Sequence, residues 1–74
     1  MKPITKLNEK QFSDLSGLHA YYRVCVGDKD MQSAMAFKNQ ILGYLTALHS
    51  TEQITATDKE QLFIYFTRQA SLKG

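Results

Sequence analysis

The chain has 74 residues, of which 43% are hydrophobic and 22% charged, and carries a net charge of +2. That length fits one small domain and is too short for a TIM barrel or a doubly wound nucleotide-binding fold, while the apolar content argues against a disordered chain. A charge this close to balance makes no electrostatic case for nucleic acid by itself.

Only Arg23 and Arg68 are arginines, the residue type best suited to bidentate contact with phosphate or guanine. Cys25 is the lone cysteine, so no internal disulfide is possible, and the expected setting is cytoplasmic. The opening MKPITKLNEK lacks the apolar run of a signal peptide. No stretch approaches the ~20 apolar residues of a membrane span.

The first helical signal follows Leu7. Asn8 and Gln11 have the spacing of a capping box, and Leu7 and Phe12 hold the positions of a hydrophobic staple. Phe12, Leu15, Leu18 or His19, Tyr22 and Val26 recur at spacings of three and four. Gly27 is expected to close the helix in the left-handed conformation. The spacing predicts helix 1 over residues 9–25.

Asp28 or Asp30 then caps helix 2, predicted over 30–49. Met31, Ala34, Met35, Ile41, Leu42, Leu45 and Leu48 trace its apolar stripe, with the Lys38 stem at the edge. Phe37 and Tyr44, seven residues apart, form a flanking stripe, so the apolar face is wide enough for more than one partner element. Gly43 is a mid-helix cost that close helix packing would explain.

Residues 49–53 are a polar connection, with Ile54 as its anchor in the core. Thr55 with Asp58, or Thr57 with Glu60, can begin the third helix; Thr57-x-x-Glu60 is the better match to a capping box. FIYFT is β-prone in isolation, but the cap before it and the Arg-Gln-Ala-Ser after it argue for helix over 58–71.

The expectation is therefore all-α: a compact three-helix bundle in one domain over residues 1–74, with helices 2 and 3 as a hairpin and helix 1 across their groove. Residues 1–7 and 73–74 are expected to be flexible ends. The expected core is Phe12, Leu15, Tyr22, Met35, Ile41, Leu45, Leu48, Leu62 and Phe66.

Chemistry is sparse. His19, Cys25 and His49 match no zinc-ligand spacing. The simpler readings are a rim residue for His19 and a helix C-terminal position for His49. Asp28-x-Asp30 opens like a calcium loop. Ser33 then replaces the turn glycine, and Asn39 stands where the bidentate glutamate belongs, so capping is the better account. His19 and Cys25 are six apart and share no helix face, which leaves the thiol without an activating base. The four glycines, at 17, 27, 43 and 74, form no phosphate loop. No enzymatic activity and no cofactor or metal are expected.

Two readings remain. The first is a small non-enzymatic protein-interaction or regulatory module. It acts through helical surface on itself, as a homodimer, or on another protein, with no membrane involved. Tyr21, Phe37, Tyr44 and Tyr65 are the natural anchors, because aromatics bury much area and tyrosine adds a hydroxyl. The competing role for all four is completing the core. The alternative is a DNA-binding regulator of helix-turn-helix type, with Gln32, Lys38, Asn39 and Gln40 as nucleic-acid contacts. Against it, helix 3 carries LFIYF where a polar recognition helix belongs.

Overall fold

The computed structural model describes residues 2–68. A 3-10 helix, Lys2–Lys6, leads into α1 (Glu9–Gly27), α2 (Met31–Ser50) and α3 (Ala56–Thr67), and the fold is a compact three-helix bundle. No strand occurs among the described residues. FIYFT is helical as far as Thr67, and the expected extension of this helix to residue 71 lies outside the described residues.

Each helix begins where a side chain satisfies its free N–H groups. Asn8 accepts from the Gln11 N–H at 2.8 Å, and the Asn8 N–H donates to Gln11 Oε1 at 3.0 Å. Of the two aspartates before α2, Asp30 is the cap, accepting from Ser33 N–H at 3.2 Å. The third helix starts two residues earlier than expected. Its capping box is Thr55 with Asp58, not Thr57 with Glu60. Asp58 is favoured because its carboxylate also pairs with Lys6, which ties the start of α3 to the 3-10 segment.

Both turns use a device that the sequence does not display. In each, the N–H two residues past the cap reaches back five positions to a carbonyl: Asp30 to Cys25 at 2.9 Å and Gln53 to Leu48 at 3.1 Å. The left-handed residue in between is Lys29 (φ 61°) in the first turn and Glu52 (φ 64°) in the second. Gly27 is therefore not the left-handed closure; it ends α1 in helical conformation, and Lys29 accepts the strain instead.

Leu15, Ile41, Leu45, Leu48, Ile54, Leu62 and Phe66 form one buried cluster, with Ile4, Leu7 and Leu18 packed against it. Of the expected core, Tyr22 is buried but outside this cluster, and two residues are exposed. Phe12 is 40% exposed, with its ring edge-on to Phe66 at 6.0 Å. Met35 is 53% exposed. The reason for Met35 is length. At 1.5 Å per residue, the twelve residues of α3 cover about 18 Å while the twenty of α2 extend about 30 Å. The N-terminal end of α2 thus runs past the described part of α3.

Residues 2–7, read above as a flexible end, are structured: Pro3 is buried, and Ile4 and Leu7 rest on the core. Residues 73–74 lie outside the described residues. Helices α2 and α3 form the expected hairpin, while the most extensive helix–helix contact is between α1 and α2.

Two stability measurements check these termini. In urea unfolding, Thr55→Ala is expected to lose about 1 kcal/mol, while Thr57→Ala changes stability by less than about 0.5 kcal/mol. Glu52→Gly is expected to gain about 0.5–1 kcal/mol by relieving the left-handed residue. A larger loss for Thr57 than for Thr55 would overturn the cap assignment.

Candidate functional site

The seam between α1 and α2 positions most of the aromatic candidates. The two helices run antiparallel, and two cross-links on one side of the seam fix their register. Tyr21 stacks on Phe37 with centroids 5.4 Å apart and planes within 15°. Two turns away, Tyr44 donates from its hydroxyl to Asp14 Oδ2 at 2.9 Å. Asp14 and Tyr21 are seven residues apart on α1, as Phe37 and Tyr44 are on α2, so both links fall on matching faces. Lys10 completes the line with a 3.0 Å ion pair to Asp14.

This network shifts two groups in opposite directions. The Lys10 ammonium, then the Tyr44 hydroxyl, hold the Asp14 carboxyl below the ordinary carboxylate range. Partial burial, then the bond to Asp14, push the Tyr44 phenol above its ordinary range. Asp58 is likewise lowered, by Lys6 first and by the Thr55 backbone N–H second.

The four aromatic anchors separate into two kinds. Tyr44 and Tyr65 are half-buried and rest on the core. Tyr44 is tied to Asp14. Tyr65 lies edge-on to Phe66 at 5.0 Å, with the Arg68 guanidinium 3.9 Å from its ring centroid. Phe37 is also half-buried, whereas Tyr21, lying on top of it, is 62% exposed.

The four polar candidates separate as well. Gln32, Asn39 and Gln40 share the outward side of α2 and are exposed. Lys38 is on a different flank, half-buried, its ammonium 6.0 Å from the Phe63 ring centroid. The only cation on α2 is therefore turned away from the amides that were expected to work with it.

Sequence reasoning placed His19 at the rim of α1. It is 7% exposed, with its ring edge-on to Phe66 at 6.4 Å. A carbonyl oxygen only accepts, so His19 Nε2 carries the proton and donates to Arg68 O at 2.8 Å, just past the last turn of α3. Cys25 is half-buried on α1 beside the α1–α2 turn, and His49 is at the opposite end of α2, in its last turn. No group of three or more His, Cys, Asp or Glu side chains is placed to hold a metal among the described residues. No buried side-chain nitrogen or oxygen among them lacks a hydrogen-bond partner.

A shallow open groove of about 290 Å³ runs along the N-terminal segment, lined by Ile4, Leu7, Asn8, Glu9 and Phe12. The larger feature is α2 itself. None of its eleven exposed residues is charged. A surface with about 30% charged residues would place about three charges there. On the flank beside Lys38, Met31, Met35 and Leu42 lie open at 56%, 53% and 39%. By contrast, α1 exposes Glu9, Lys10 and Arg23, and α3 exposes Glu60. Among the described residues, no helix is long and apolar enough to cross a membrane.

Comparison of the chain with protein-family models, curated proteins and solved structures gives no match.

The Asp14–Tyr44 link has a definite pH signature. Asp14 and Asp58 are lowered, so what they contribute to stability is present above the ordinary aspartate range and lost as pH falls through their lowered values. Tyr44 is raised, so its contribution is present below the ordinary tyrosine range and lost as pH rises through its raised value. In an NMR titration, Asp14→Asn is expected to bring Tyr44 down part of the way, because burial remains. An unchanged Tyr44 titration in that variant would refute the link.

Proposed function

We propose that this chain is a non-enzymatic protein-interaction module that acts through helical surface, chiefly that of α2. The observation that carries this reading is the composition of that surface. An exposed helix face facing only water has no reason to avoid charge, because charged side chains are the best solvated. A face that is covered by another protein does have a reason, because each charge taken out of water must be paired. Met31, Met35 and Leu42 add open apolar area along one flank, and the Tyr21–Phe37 stack borders the other.

Methionine is well suited to such a flank, since its unbranched chain adapts to the shape of what covers it. Tyr21 contributes a ring already immobilised on Phe37, which lowers the ordering cost on binding. Tyr44 and Tyr65 act differently in this reading: they stiffen the bundle behind the face.

Photo-crosslinking tests the reading directly. A photoreactive side chain is placed at Met35, and a control at Glu60 on the surface of α3, in an extract of the cells that make the protein. Discrete protein adducts are expected from Met35 and not from Glu60, and Gln40→Glu is expected to weaken them at least several-fold. Equal adducts from both sites, or none from Met35, would overturn the proposal.

A further inference from the structure

The interaction reading leaves open what covers α2, and the outward face of this helix narrows the choice. Its central stretch is Gln32, Ala36, Asn39, Gln40, Gly43 and Ala47, all exposed and all uncharged. From this surface we infer that the partner is a second copy of the same chain, with the two α2 helices packed antiparallel about a two-fold axis between Asn39 and Gln40.

Three observations select that occupant. The first is charge. A two-fold interface brings each surface against itself, so a patch of either sign would repel its copy. A neutral face has no such conflict, and Asn39 and Gln40 each carry both a donor and an acceptor, so they satisfy one another across the axis.

The second is register. With the axis between residues 39 and 40, Ala36 falls opposite Gly43 of the other copy, and Gln32 opposite its Ala47. These six central residues then pair within their own set, while Ser50, on the same side of the helix, falls beyond the paired stretch. Small residues meet where the backbones approach most closely, and the antiparallel helix dipoles are favourable. Among the described residues nothing accounts for Gly43: a Cβ there, as at Gly17 and Gly27, would meet no atom within 4 Å, and its backbone is not left-handed. The close packing expected at Gly43 is thus absent within the monomer, and the second copy provides it.

The third is area. A helix about 30 Å long with both flanks engaged presents on the order of 600 Å² per copy, near the lower limit for a specific dimer. The expected dimer is accordingly weak, with a Kd in the micromolar range.

Sedimentation equilibrium of the full chain provides the test. The mass is expected to rise from 8.4 kDa toward twice that value across micromolar concentrations. Gly43→Lys is expected to remain monomeric, with helical circular dichroism unchanged because the site is open in the monomer. Ala36→Glu alone is also expected to be monomeric, and an equimolar mixture of the two variants is expected to recover association at least tenfold over either alone. A wild-type mass of 8.4 kDa up to about 1 mM would overturn the second copy. With Met35 adducts still present, that result would assign the face to a different protein and leave the interaction reading intact; without them, both would fall. A dimeric, folded Gly43→Lys variant would overturn the choice of face, and a mixture that stays monomeric would overturn the register.

Discussion

Phe66 is where the bundle closes. It is fully buried, belongs to the same cluster as Leu15, Ile41, Leu45 and Leu62, and meets the rings of Phe12, His19 and Tyr65 edge-on. The last helix is short, and an isolated twelve-residue helix is marginal in water. Its helicity therefore depends on burying Phe66 and Leu62 against the α1–α2 hairpin. The polar contacts around this helix depend on the same seating: His19 reaches the Arg68 carbonyl only if Phe66 is in place, and Lys6 reaches Asp58 only if α3 starts where it does. At the α2–α3 turn, Gln53 bonds both the Gln11 amide and the Lys6 carbonyl, which ties this turn to the start of α1 and to the N-terminal segment.

The helices and most of the core were readable from spacing because helix periodicity and capping are local. Asn8 with Gln11 and the stripe of Ile41, Leu45 and Leu48 each contain their own evidence. The misses concern what is not local. Met35 and Leu45 belong to one stripe, but only Leu45 has α3 beside it, and the length of a neighbour cannot be read from the stripe itself. Gly27 looked like the helix stop because glycine tolerates the left-handed region most cheaply. The chain places Lys29 there, where hydrogen bonds back to Val26 and Cys25 outweigh the cost. His19 was read as a rim residue because nothing in its flanking residues shows that a carbonyl 49 positions later needs a donor.

The candidate surface was readable in a different way. Aromatic side chains are natural anchors but serve cores and interfaces equally well; Tyr44 and Tyr65 rest on the core for reasons that only the fold supplies. The more informative feature was an absence. Between Met31 and Ser50 the sequence contains a single Lys, Arg, Asp or Glu, and that residue is Lys38. Its meaning needed the structure, which shows that the run is half surface and that Lys38 folds onto Phe63, away from the outward amides.

The placement of this face on α2 follows from the same packing. Of the three helices, α2 is the one with substantial contact on both sides, to α1 and to α3, whereas α1 and α3 touch each other least. An element supported from two sides holds its outer surface in a fixed shape. A rigid surface loses less conformational freedom when covered than one on a fraying helix or a loop. The rungs from Tyr21 to Phe37 and from Tyr44 to Asp14 add to this by locking α2 against rotation along its α1 edge. The aromatic contacts along the α1 edge and the charge-free exterior of α2 are thus parts of one arrangement, in which packing on two sides holds the uncharged outer face in a fixed shape.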